Sequence, residues 1–320
     1  MAASEISRFS RFSGEDTLNA QFSSYVVHLE NKNLSPRTVE TYGDCLLTFC
    51  RWMAAEGKET LGRLTSADLQ DFQIWLSREY KRGRGGRFSG SHQAKHIAVV
   101  RDFFRFLQAE CQVLGNPAGS IRYPKLKRKL RRDVLTAEEL RKLLDVPVRD
   151  AKGMRDMLAI RLLALSGLRA SELCALDVED VNIAEREIII RGGKGNKDRL
   201  TFCDEGTREL LTGYLAQAWH RLIEEDTQAL ILGNGGGRLH YHELRAAVKK
   251  MARAAGIRKH ITPHSLRHTF CTLLLTHGCN LKVIAELAGH ASLGTTARYT
   301  RVDIRELAEV YHHAHPRSSS

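Results

Sequence analysis

The feature that most constrains this chain is an interruption. Between Asn116 and Val134 the apolar periodicity of the flanking residues stops, and IRYPKLKRKLRRD places Lys125, Lys127, Arg128, Lys129, Arg131 and Arg132 where no repeating apolar face can be drawn. A segment that cannot bury a stripe against a core is a connector, so the 320 residues are expected to fold as two bodies with separate interiors. A hydrophobic content of 42% is enough to fill both. The expected division is a helical domain over 15–115, a basic linker over 116–134 and a second domain over 135–315.

Residues ahead of the linker read as a helical bundle. Leu18, Phe22, Tyr25, Val26 and Leu29 recur at helical spacing, and Ser35-Pro36 supplies an N-cap and first-turn proline before Val39, Tyr42, Leu46, Phe49 and Met53. A third helix opens near Ser66 through Leu69, Phe72 and Leu76, and a fourth carries Ile97, Val100, Phe103, Phe104 and Leu107. Between them the basic, glycine-rich KRGRGGRFSGS over 81–91 reads as a mobile loop. These apolar stripes are core, not chemistry.

Beyond the linker, Thr136 and Glu139 are spaced as a capping box, and MLAIRLLALSG ends a helix at Gly167. EREIIIRGGKGNKDRLTF alternates β-branched and charged residues about a glycine-rich turn and reads as a strand hairpin, with mostly helical sequence from Asp204 onward. The expected fold class is therefore mainly α with a small β-hairpin or sheet: a helical N-terminal domain followed by an α+β domain.

Lys and Arg number 49 against 37 Asp and Glu, a formal charge of +12 that favours a polyanionic partner such as nucleic acid. The seven cysteines are scattered and form no CxxC pair, which fits a reducing cytosol and neither a disulfide framework nor a zinc module. No stretch approaches the length of a membrane span, and MAASEISRFSRFSGED lacks the apolar core of a signal peptide, so a cytoplasmic protein, made and used inside the cell, is expected.

The segment TPHSLRHTF raises the chemical question. Thr262-Pro263 starts a helix, which puts His264, Arg267 and His268 on one face at i, i+3 and i+4. Zinc is disfavoured: Ser265 stands where HExxH enzymes have Glu, and Arg267 sets a fixed positive charge beside the cation. A phosphate fits better, because a helix N-terminus offers free N–H groups and arginine a forked donor. SGLRASEL adds Arg169 just past a glycine-terminated helix, GGKGNKDR adds Lys194, and LAGHASLGTTARYT adds His290 and Tyr299.

Taken together these segments resemble the signature of the tyrosine recombinases, also called the lambda-integrase family, and within it the Xer group of bacterial site-specific recombinases. The likeness spans nearly the whole chain: LSPRTVETYGDCLLTFCRWM resembles that family's helical core-binding domain, and 135–315 its catalytic domain. Carried onto this sequence, the family's catalytic set falls on Arg169, Lys194, His264, Arg267, His290 and Tyr299, with Tyr299 the nucleophile. Some members carry Trp at the position of His290, which points to positioning of the phosphate there rather than to indispensable acid–base chemistry.

The resemblance implies a site-specific DNA recombinase that cleaves and rejoins strands through a 3′-phosphotyrosyl link and a Holliday junction, in integration, excision or dimer resolution. It also implies double-stranded DNA carrying a specific site, four protomers as a homotetramer or heterotetramer with a possible partner recombinase, and no metal, ATP or other cofactor. The residue chemistry fits. Two arginines neutralise the resting and developing charge of a phosphodiester. A tyrosine of ordinary pKa near ~10 must lose its proton as it attacks, and His264 can accept or relay it. Lys194, on a hairpin loosened by Gly192, Gly193 and Gly195, can protonate the leaving 5′ oxygen, with Lys197 a competitor for the role. Glu172 either orients Arg169 or caps its helix.

Tyr214, Tyr241 and Tyr311 lack the GH and TTARYT context of Tyr299 and read as packing or interface residues. The helix carrying Ile304, Leu307, Val310 and Tyr311 can dock on a neighbour or on its own domain. Expected DNA contacts in the first domain and linker are Arg37, Thr38, Tyr42, Lys95, the KRGRGGR loop, Lys127 and Arg128. A type IB topoisomerase, a silent DNA-binding protein and a metallohydrolase are the competing readings.

Overall fold

The structure is a computed structural model, and it describes residues 16–78, 81–82, 86–124, 133–192 and 198–289. The chain divides into two units, 1–129 and 130–320, each with its own core.

Among the described residues, unit 1 is built on four helices, α1 (Asp16–Asn31), α2 (Pro36–Ala55), α3 (Ser66–Arg78) and α4 (Gly90–Ala109). Ser35 caps α2 by accepting from the Thr38 N–H, and Pro36 occupies the first turn, where its missing N–H is no loss. The stripes face one another. Phe22 of α1 stacks on Phe103 of α4 at 5.0 Å, and Phe49 of α2 meets Phe72 of α3 edge to face at 5.0 Å. The buried Tyr25 hydroxyl donates to Asp102 at 2.7 Å, so the one polar atom of that ring is satisfied.

Two details differ from the sequence expectation. Within 81–91 there is a short antiparallel ladder, β1 (Lys81–Arg82) on β2 (Gly86–Arg87), and α4 begins at Gly90 under a Ser89 cap. Two paired residues are too few for a period of two to register. The start of the expected linker also packs on unit 1: Ala118 and Ile121 are buried in its core, and Gln73 donates to the Arg122 carbonyl at 3.0 Å.

Unit 2 surrounds α6 (Ala151–Leu165), the most extensively buried of the described helices, with α5 (Ala137–Leu144) and α7 (Ala170–Ala175) beside it. The predicted Thr136–Glu139 capping box starts α5. A three-stranded antiparallel sheet follows in the order β3 (Val181–Asn182), β4 (Glu187–Ile190), β5 (Arg199–Phe202), with Ile190 opposite Arg199. β4 and β5 are the expected hairpin; β3 is a two-residue addition. The helices α8 (Glu205–Gly213), α9 (Tyr241–Ala254), α10 (Pro263–Thr276) and α11 (Leu281–Ala288) complete the unit, and α8 runs on as a wider turn over Tyr214–Trp219.

The α6–α7 corner is fixed by Gly167. Its φ is +67°, and a Cβ there would lie 2.4 Å from the Phe270 ring of α10. Both demands exclude a side chain. Gly167→Ala is therefore expected to destabilise unit 2 by about 2–4 kcal/mol, the sum of left-handed strain and overpacking. A urea titration checks this, as a lower midpoint at unchanged slope.

Candidate active site

Three arginines and one glutamate from three separate elements, the capped start of α7, β5 and α10, meet at the C-terminal end of α11. Helix ends leave carbonyls without intrahelical partners. Here Gly289, at φ +64°, turns its N–H back to Ala285 and Glu286, and the next three carbonyls each receive a different arginine. Arg199 Nε donates to Leu287 O at 3.1 Å, Arg267 Nη2 to Ala288 O, and Arg169 Nη2 to Gly289 O. Arg267 also donates through Nη1 to Gly167 O, just past the end of α6, so one guanidinium bridges the negative ends of two helices.

Glu172 is the counter-charge. Its Oε1 accepts from Arg169 Nη1 at 2.5 Å and from Arg199 Nη1 at 2.8 Å; its Oε2 accepts from the Arg169 backbone N–H and from Arg199 Nη2, both at 2.7 Å. The two roles expected as alternatives are thus performed together, the cap through one oxygen and the orientation of Arg169 through the other. Burial pushes the Glu172 carboxyl up, but the hydrogen bonds and charge of Arg199, followed by those of Arg169, outweigh it and hold the group down at about 2. Arg267, 5% exposed, is lowered to about 10, chiefly by burial and next by the charge of Arg169, and stays a cation at neutral pH.

Arg267 comes from α10, whose start is set by the Thr262 cap and Pro263. That helix turns Arg267 inward and leaves His264 exposed, with the His268 ring edge-on to His264 at 4.3 Å between centroids. A cleft of about 640 Å³ opens over the cluster, lined by Arg169, Ser171, Arg238, Tyr241, His264 and Arg267 among others. Arg238 is held by Asp177 at 2.5 Å, and Tyr241 is 55% exposed on the cleft, whereas Tyr214 is fully buried.

Of the six expected catalytic residues, Arg169, His264 and Arg267 line this one cleft. Lys194, His290 and Tyr299 lie outside the described residues, as do Lys127 and Arg128. The expected DNA contacts of unit 1 are spread over two helices: Arg37, exposed and paired with Glu40; Thr38, engaged in the Ser35 cap; Tyr42, half-buried; and Lys95, exposed on α4. Sequence reasoning missed Arg199 and Gly289. No signal marked Arg199 as buried, because a charged residue opening a strand usually faces water.

A phage integrase family model matches residues 133–306, and a phage integrase N-terminal SAM-like domain model matches 22–111. The chain belongs to the phage integrase family. Its members here include the tyrosine recombinase XerC of Xanthomonas campestris pv. campestris, 32% identical over 307 residues covering 95% of this chain and 91% of that one. XerC of Thermodesulfovibrio yellowstonii is 39% identical over 230 residues, 70% of this chain and 76% of that one. In fold, the chain is similar to the XerH site-specific recombinase in a post-cleavage complex on palindromic difH substrate, with TM-score 0.67, 20% identity and coverage of 97% and 95%. Like them, this integrase-family chain is a tyrosine recombinase.

The Glu172 pair gives a signed prediction. A carboxyl lowered from 4.5 to about 2 contributes stability that is fully present above 4.5 and lost as pH falls through about 2. Glu172→Gln, which sets an NH2 against arginine donors, is expected to destabilise unit 2 by about 3–5 kcal/mol at neutral pH. Thermal melts along a pH series check it: the gap from wild type narrows between pH 4.5 and about 2.

Proposed function

We propose that this chain recombines double-stranded DNA at a specific site by making a 3′-phosphotyrosyl link through Tyr299, with the phosphate seated in the cleft over Arg169, Arg267 and His264. The observation that carries the reading is the pair of guanidiniums held at one opening, each with only two of about five N–H donors engaged in the bonds described above. A phosphodiester repels nucleophiles through its own charge, and attack builds more charge on its oxygens. Two forks, Arg267 buried and Arg169 part-buried, both oriented by carbonyls and Arg169 also by Glu172, neutralise both.

His264, exposed on the cleft wall, takes the phenol proton of Tyr299 as the O–P bond forms. Lys194 gives a proton to the departing 5′ oxygen, and His290 orients the phosphate. The energy of the broken phosphodiester is kept in the tyrosyl ester, so the freed hydroxyl of another strand can reverse the step. No nucleotide or metal is needed in this scheme.

Unit 1 acts as the core-binding domain, with Arg37, Thr38, Tyr42 and Lys95 toward the duplex; of the linker, whose start packs in the unit 1 core through Ala118 and Ile121, it is the basic part with Lys127 and Arg128 that contacts the phosphate backbone, and the catalytic domain follows over 135–315. Four protomers, in a homotetramer or a heterotetramer with a partner recombinase, exchange strands through a Holliday junction. The site of action is the cytoplasm: all seven cysteines are unpaired thiols, which suits a reducing compartment, and among the described residues no helix is long and apolar enough to cross a membrane.

The test uses a duplex recovered by binding selection from random sequence and nicked so that the cleaved end diffuses away. With EDTA present, the wild-type chain is expected to form a covalent adduct, and Tyr299→Phe to form none while binding the duplex within about threefold of wild type. Hydrolysis that needs metal and leaves no adduct overturns the reading. Relaxation of supercoiled DNA without any strand exchange replaces it with a topoisomerase.

A further inference from the structure

The buried guanidinium of Arg199 is not among the six residues given the proposed chemistry, yet it is gripped from three sides. It opens β5, its side chain is 7% exposed, both Nη atoms sit on Glu172, and Nε sits on Leu287 O. Gly289 leaves it no slack: a Cβ there would fall 2.9 Å from the Arg199 Cζ. We propose that Arg199 is a positioning residue that holds the Glu172 carboxylate away from a full grip on Arg169, so that Arg169 stays available to the phosphate; this deepens the functional reading above and rests on it.

The argument is one of competition for two oxygens. Arg169 and Glu172 sit three residues apart on one turn, and a free arginine–carboxylate pair closes fork to fork with two parallel hydrogen bonds. Such a closure would spend the anion-binding edge of Arg169 on its own neighbour. Arg199 makes the fork first, with Nη1 on Oε1 at 2.8 Å and Nη2 on Oε2 at 2.7 Å. Arg169 is left with a single side-chain bond to that carboxylate, Nη1 on Oε1 at 2.5 Å, its Nη2 going to Gly289 O, and its backbone N–H takes the second oxygen.

A stability role does not account for this arrangement. Two apolar side chains of similar volume would join β5 to α7 at less desolvation cost than a buried ion pair. What the charged pair adds is direction, since both Glu172 oxygens are fixed before Arg169 meets them. The Leu287 bond fixes Arg199 in turn, so the carboxylate cannot follow Arg169 if that side chain moves toward an anion.

The experiment measures single-turnover cleavage of the nicked, selected duplex by the full chain at saturating DNA, with duplex Kd measured in parallel. Arg199→Met is expected to cleave about 100-fold more slowly with Kd changed by less than about threefold, and Arg199→Lys, which keeps the charge but not the fork, to recover about tenfold of that loss. In the Glu172→Gln background, Arg199→Met is expected to add little, because the competing carboxylate is gone. Should Arg199→Met fail to fold by circular dichroism, Arg199→Lys is read instead, with about tenfold slower cleavage expected. Folded Arg199 variants that cleave at the wild-type rate, or whose loss lies wholly in Kd, overturn this inference while leaving the recombinase reading in place. A wild-type chain that forms no adduct overturns both.

Discussion

The C-terminal end of α11 is the interaction on which the candidate site depends. An α-helix must finish with carbonyls that its own N–H groups cannot reach, and leaving them buried and unpaired would be costly. This chain gives two of them to the Gly289 turn and passes the carbonyls of Leu287, Ala288 and Gly289 to Arg199, Arg267 and Arg169. The arginines satisfy the helix, and the helix fixes the arginines. Neither half is stable in its place without the other.

Burying several cations together is ordinarily prohibitive, and the cluster shows how the penalty is contained. The partial negative charge at two helix ends and the single carboxylate of Glu172 face three guanidiniums, which leaves an excess of positive charge. Arg267 bears the strain most plainly, lowered to about 10 yet still charged in neutral solution. An environment that tolerates unbalanced cations at rest is one in which an incoming anion relieves a cost already present. In the proposed function that cost is what a bound phosphate relieves, with Glu172 the one carboxylate among the described residues bonded to these arginines.

How much of this was legible in the sequence follows from distance along the chain. The helices of unit 1 could be read because stripes such as Leu18, Phe22, Tyr25 and Leu29 recur at local helical spacing within each helix, and the Thr136–Glu139 and Thr262–Pro263 starts because caps act within four residues. Gly167 was recognisable as a helix terminator, though not as the seat of the Phe270 ring. Arg199 was invisible: its partner Glu172 lies 27 residues earlier and its second partner, Leu287, 88 residues later. A pairing of that range leaves no periodic trace. Likewise β1, β2 and β3 have only two residues each, fewer than any alternation needs.

The same structure separates two properties that a basic protein is often assumed to combine. The exposed cations, Arg37 and Lys95 among them, lie in water, where salt screens them over about 8 Å, and in the proposed function they set how strongly the duplex is held. Of the guanidiniums at the end of α11, Arg199 and Arg267 are buried and Arg169 is part-buried, and their orientation is set by carbonyls and by Glu172. Affinity can thus vary with ionic strength, or with changes to surface lysines, while the geometry presented to a single phosphate stays the same. In the proposed function the exposed surface tunes the first property while the ends of α6 and α11, which orient Arg267 and Arg169, hold the second.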